Sequence, residues 1–220
     1  MKSLVIKKIA SQPSAIEVSA VLDNDQVPFN VIDCVNWANY PYRPEVKFRV
    51  AHNGDFLFLN YQVDEEDIQA VADQDNGKVW EDSCVECFIA FSDREYYNIE
   101  ANCIGKVLMS SRVSRENYMR VSDKLLQQID RWSSVGSQPV RGLTGKWELS
   151  LVIPRAAFQA TKIASFDGLQ ARGNFYKCGD LLKTPHFLSW SPIDCPKPNF
   201  HLPAFFGILQ FTAKFGKEKS

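Results

Sequence analysis

The chain has 220 residues, 45% of them hydrophobic, with 25 basic against 26 acidic side chains and a formal net charge of -1. This length and composition can bury a full core, and we expect a single domain over residues 1–220. With charge so balanced and no basic run longer than a pair, there is no footprint for a polyanion, and nucleic acid is not an expected partner.

The N-terminal "MKSLVIKKIASQP" offers only Leu4, Val5 and Ile6 before two lysines, too short for a signal-peptide core, and no span approaches a membrane helix. The expectation is a cytoplasmic protein with no membrane partner. If a leader was removed and a new Met supplied, the expectation becomes a secreted or periplasmic one. From there the chain alternates apolar and polar residues in short runs that predict strands: "IEVSAVL" (16–22), "VKFRVAH" (46–52) and "DFLFLNYQV" (55–63), the last two joined by the hairpin signal Asn53-Gly54. A helical pattern follows at "EEDIQAVA" (65–72). Strands resume at "CVECFIAF" (84–91), "YYNIEANCIG" (96–105) and "KVLMSSRV" (106–113), separated by the turns "SDRE" (92–95) and Ile104-Gly105-Lys106. A second helix is predicted over "SDKLLQQID" (122–130), capped by Ser122 or Asp123. After it come the strand "WELSLVIP" (147–154), a Pro-initiated turn at "PRAAF" (154–158), and strands at 169–178 and 205–211. The tail "KFGKEKS" (214–220) is expected to fray. Many short strands with little helix predict an all-β fold, an antiparallel two-sheet β-sandwich of jelly-roll-like form with a few short helices.

Catalytic signatures are few. The chain has no GxSxG, HExxH, phosphate-cradling GxxxxGK or dinucleotide GxGxxG. Six cysteines (34, 84, 87, 103, 178 and 195) sit mostly in apolar strand runs and read as reduced. Cys84 and Cys87 imitate a CxxC motif, yet at i and i+3 of a strand they point to opposite faces. His52, His186 and His201 are scattered and read as structural. The acidic loops at 23–25, 64–67 and 73–77 read as solvated, although calcium held in a non-EF-hand way stays open.

Glu86 lies in the middle of a strand that is apolar on both faces. A buried carboxylate is strongly disfavoured unless it is paired, so it needs either a protein partner, Arg112 or Arg172, or a ligand. Trp80 precedes it in a loop beside Glu81 and Asp82, and Trp190 stands in the Pro-rich stretch 186–207. Rings on loops suit sugars, whose C–H faces stack on indole while carboxylates and amides take the hydroxyls. The competing assignment makes both tryptophans caps of the core.

"VWEDSCVECFIAF", "YYNIEANCIG", "GKWELSLVIP", "RGNFYKCGD", "LSWSP" and "PAFFGILQF" together resemble, in order and spacing over residues 16–211, the family 9 carbohydrate-binding modules. The resemblance implies a β-sandwich of bacterial type that binds a mono- or oligosaccharide or a polysaccharide chain end without catalysis, serves carbohydrate catabolism, and carries structural calcium. It places the sugar between Trp80 and Trp190, with Glu86 accepting hydroxyls and with Asn102, Arg112, Arg172 and Asn174 as further ligand-binding residues.

Two other functions stay open. A glycoside hydrolase needs two carboxyl groups about 5 to 9.5 Å apart. Glu86 and Glu100 lie on the two strands of the "SDRE" hairpin. Pairing Phe91 with Tyr96 puts them on opposite faces, whereas a slip of one residue puts them on the same face. The sandwich also resembles haem-binding relatives with Met and His ligands, for which Met109 and the three histidines are the candidates.

Overall fold

The computed structural model describes residues 1–215. In chain order the strands are β1 (Ser3–Lys8), β2 (Asn30–Val31), β3 (Cys34–Val35), β4 (Glu45–His52), β5 (Phe56–Ala70), β6 (Cys84–Ala90) and β7 (Tyr96–Asn102). They continue with β8 (Val107–Arg112), β9 (Tyr118–Arg120), β10 (Asp130–Ser133), β11 (Val140–Pro154), β12 (Gln170–Cys178), β13 (Phe187–Ser189) and β14 (Gly207–Phe215). Two short helices, α1 (Val18–Asn24) and α2 (Asp123–Leu126), interrupt them. Of the tail expected to fray, Lys214 and Phe215 continue β14; residues 216–220 lie outside the described residues.

The expected β-sandwich forms, but the expectation that it is wholly antiparallel needs correction. Eleven strands form one continuous path, β10-β11-β5-β4-β1-β14-β12-β6-β7-β8-β9, with β2 added on β4, β13 on β12 and β3 on β13, and the sheet is mixed. β1 runs parallel to both of its neighbours, β14 and β4, while the pairs flanking the core are antiparallel. The path folds over so that alternate residues of β4, β5 and β11 face alternate residues of β6, β7, β8 and β12. Phe48, Leu59, Tyr61, Leu149 and Leu151 thus share one core with Val85, Cys87, Ile99, Met109 and Phe175.

Two local expectations also fail. Residues 16–22 were expected to be strand but form a 3-10 turn (Ala15–Glu17) leading into α1. The cause is a capping box, "SAIE", in which the Ser14 N–H donates to the Glu17 carboxylate at 2.9 Å, while Val18 and Leu22 bury one helical face. Residues 65–72 were expected to be helix but mostly continue β5 to Ala70, because β11 pairs along the whole length. Glu65, Ile68 and Ala70 are buried, and Glu65 is held by Lys177 Nζ at 2.8 Å and by Trp147 Nε1 at 2.7 Å. Tertiary pairing here overrides helix propensity. The Asn53-Gly54 hairpin forms with Gly54 at φ +100°, a conformation that favours glycine.

The outer face of β12, β6, β7 and β8 is not left to solvent. The Pro-rich segment after β13 folds across it, and Phe200 and Phe206 pack on Tyr176, Phe88 and Tyr96 in a second core. Between this covering segment and the sheet a cleft remains.

Candidate functional site

The cleft has a volume of about 300 Å³. Glu86 of β6, Glu100 of β7, Arg112 of β8 and Cys178 of β12 contribute to its floor, and Trp80, Tyr118, Phe187 and the segment Pro198–His201 stand around it. Strand alternation explains the gathering: residues two apart on β6, β7, β8 and β12 share the outer face, and antiparallel pairing stacks them side by side.

Trp80 sits on a 3-10 turn (Val79–Glu81) whose carbonyls accept the N–H groups of Asp180 and Leu181 at 3.1 Å each. The next residue but one, Asp82, is buried and accepts the N–H groups of Val71 and Ala72 and the Asn102 amide at 2.9–3.0 Å. The half-buried indole is thus carried by a fixed turn with one side on the cleft.

The floor is electrostatically loaded. Glu86 pairs directly with Glu100 across the ladder, so the register is the one that puts both carboxylates on one face. Both are buried. The Glu86 carboxyl accepts from Cys178 Sγ at 3.2 Å, and Glu100 accepts from Asn98 Nδ2 at 2.7 Å. Burial and, next, the neighbouring Glu100 charge push Glu86 well above the usual carboxylate range. Burial pushes Glu100 up to about 7 against the pull of the Asn98 hydrogen bond and the Arg112 and Arg120 charges. Asp180 rises to about 6, mainly through burial and then through Glu81.

Arg112 donates to Asn98 Oδ1 and to the Arg115 carbonyl, each at 2.6 Å, and lies 4.3 Å over the Tyr118 ring. His201 accepts or donates at Tyr96 Oη, 3.0 Å away. Burial and the charges of Arg112 and Arg115 bring it down to about 3, so it is neutral at physiological pH. Chemically the cleft offers aromatic faces beside convergent carboxyl, guanidinium and imidazole groups.

Of the residues expected to bind ligand, the structure brings together Trp80, Glu86 and Arg112. Trp190 is placed elsewhere. Its ring is buried against Phe48 and Phe175, at centroid distances of 6.2 and 5.8 Å, and reaches the core because it continues the inward side of β13 with Leu188. The aromatic residues that line the cleft with Trp80 are Phe187, Phe200 and Tyr118. Asn102 and Asn174 share the outer face, but their amides are used internally. Asn102 binds Asp82, the Ala72 carbonyl and the Lys106 N–H. Asn174 binds the carbonyl and N–H of Ser191. Arg172 points to the far end of its strand and pairs with Asp93 at 2.8 Å, so neither it nor Arg112 forms an ion pair with Glu86.

Sequence reasoning missed Tyr118, Arg120, Cys178, Asp180, Phe187, Phe200 and His201. The signal within reach was the period-2 spacing of Tyr176 and Cys178 on β12, which puts Cys178 on the face of Glu86.

In the acidic segments 23–25, 64–67 and 73–77, the last two of which lie in and after β5, carboxylates have protein partners. Asp23 binds Arg49, Asp67 accepts the Lys183 N–H at 2.9 Å, and Asp75 binds Arg131 at 2.6 Å. The haem candidates are dispersed: Met109 is in the core between the sheet halves, His186 is held by Lys177 at 2.9 Å, His52 packs on Phe211, and His201 lines the cleft.

The model of carbohydrate-binding family 9 matches residues 16–211. This chain belongs to that family. Among solved structures, a candidate carbohydrate-binding protein from Bacteroides uniformis is 47% identical, with a TM-score of 0.92 over 96% of this chain and 99% of its own. Two structures of a family 9 module from Caldicellulosiruptor kristjanssonii share the fold at low identity. The one in complex with glucose is 12% identical with a TM-score of 0.63 over 100% of both chains. The one in complex with cellotriose is 11% identical with a TM-score of 0.59 over 97% and 95%. No curated protein matches the chain. The family 9 match begins after β1, although β1 completes the sheet in this member.

Proposed function

We propose that this family 9 member binds carbohydrate without catalysis in the cleft beside Trp80, as part of carbohydrate catabolism. The observation that carries the reading is the juxtaposition of the Trp80, Phe187 and Phe200 rings with Glu86, Glu100, Arg112 and Arg120 around one cleft of about 300 Å³. A pyranose stacks its C–H face on the indole and turns its hydroxyls to the carboxyl and guanidinium groups, where charge-assisted hydrogen bonds are strongest. Glucose and cellotriose in the structures of the Caldicellulosiruptor modules make gluco-oligosaccharides the first ligands to test. A disaccharide of about 23 heavy atoms at roughly -0.3 kcal/mol per atom gives about -7 kcal/mol, a Kd near ten micromolar. Calorimetry against glucose, cello-oligosaccharides and a wider glycan panel tests this. Silence toward every soluble mono- and oligosaccharide at millimolar concentration overturns it.

One observation favours a second reading. The register puts Glu86 and Glu100 side by side in the cleft, two adjacent carboxyl groups of the kind a glycosidase uses as acid and nucleophile. Release of reducing sugar from a bound oligosaccharide, stopped by Glu86→Gln or Glu100→Gln while binding persists, would replace the binding-module reading with a hydrolase.

A further inference from the structure

Glu86 raises a question that the sugar reading leaves open, namely what its buried carboxyl and the thiol beside it serve. Among the described residues no Lys, Arg or His lies within ion-pair distance of it. The ammonium on the neighbouring strand, Lys177, is engaged by Glu65 at 2.8 Å. Its protein contact is instead a thiol, Cys178 Sγ at 3.2 Å. Directly across the ladder from Cys178 stands Cys84, two residues before Glu86 on the same face of β6. The Cys84, Glu86 and Cys178 donor atoms all lie within 4.8 Å of one another, the one such group of three or more His, Cys, Asp or Glu among the described residues. All three side chains are buried, and Glu86 and Cys178 also reach the cleft.

We propose that Cys84, Glu86 and Cys178 form a binding site for a soft divalent cation, zinc by preference, with a fourth coordination position open to the cleft. The spacing suits it. A tetrahedral zinc with bonds of about 2.3 Å to sulfur and about 2.0 Å to oxygen holds its donors roughly 3.5 to 3.8 Å apart, so this trio needs only small side-chain adjustments. Two sulfurs and one carboxylate select zinc over calcium or magnesium, which take oxygen ligands. A dication placed here offsets two of the three negative charges that one carboxylate and two thiolates carry. Binding displaces both thiol protons, so uptake is accompanied by proton release. Rigidity is supplied by the ladder, since all three ligands sit on paired strands rather than loops. This inference does not depend on the sugar reading.

The test uses the whole chain, reduced and stripped with a chelator, and the metal alone as probe. Zinc titration is expected to give one tight equivalent, and Co²⁺ a spectrum with thiolate charge transfer. Cys84→Ser and Cys178→Ser should each weaken uptake by about tenfold or more, with Glu86→Gln weakening it too. Cys34→Ser, at a half-buried thiol on β3, should leave uptake unchanged. Zinc should raise the unfolding temperature of the wild type, and less so that of Cys178→Ser. Absence of a tight equivalent in the reduced wild type overturns the site whether or not the variants fold. So does uptake that survives Cys178→Ser and Glu86→Gln unchanged or disappears in Cys34→Ser.

Discussion

Trp80 and Trp190 both follow a break in the strand pattern and both have polar neighbours, yet one ring is presented to the cleft and the other to the core. The difference sets opposite expectations for the same truncation. Trp80→Ala should lower sugar affinity by about 2 kcal/mol or more, measured by calorimetry, while urea unfolding shifts by about 1 kcal/mol or less. Trp190→Ala should cost about 3 to 5 kcal/mol of folding stability through the cavity it leaves between Phe48 and Phe175. The carboxyl pair supplies a pH signature. Glu100 keeps its proton up to about pH 7 in the native state, whereas the unfolded chain releases it near an ordinary carboxylate value. The native state therefore binds more protons in that window, and stability falls as pH rises through it before levelling off. Glu100→Gln should flatten that decline, as read by urea unfolding at about pH 5 and about pH 8. In sequence, Glu86 was legible as an anomaly and Trp80 as a loop ring. The fate of Trp190 was not legible, because its side chain's direction follows from how β13 docks on β12, a contact between distant segments.

At the scale of elements, the hairpin between β6 and β7 shows where local reasoning stops. Both strands are plain in the apolar pattern, but their register depends on the turn. Ile89 pairs with Tyr97, one step from the Phe91–Tyr96 pairing that would separate the two glutamates. The helix over 15–24 was readable from its capping box, a local signal. The strand over 65–70 was not, since its partner β11 is far along the chain. Close approach between elements gives a sharper test. A Cβ on Gly207 at the start of β14 would stand 2.5 Å from Trp190 Cζ3 and 2.8 Å from the Lys2 carbonyl. Gly207→Ala should therefore destabilise by about 1 to 3 kcal/mol in thermal or urea unfolding, through strain rather than lost burial.

For the whole molecule the decisive element is β1. It joins β4 of one sheet half to β14 of the other and is parallel to both, an arrangement that short alternating runs cannot reveal. "SLVIKK" carries Leu4 and Ile6 to the core in period 2, yet six residues with two lysines hardly stand out in the sequence. Deleting residues 1–8 should abolish cooperative unfolding, followed by circular dichroism, rather than trim a dispensable end. A segment limited to residues 16–211 should behave the same way. The bond between β1 and β14 also has a meaning in time. Ser3 pairs with Ile208, so β1 is completed by a strand made some two hundred residues later and must wait, with one edge bare, until that strand is synthesised. Closure across such a separation is entropically slow. Nascent chains of this protein should stay protease-sensitive and dependent on chaperones until β14 emerges, and then lock in a single late step.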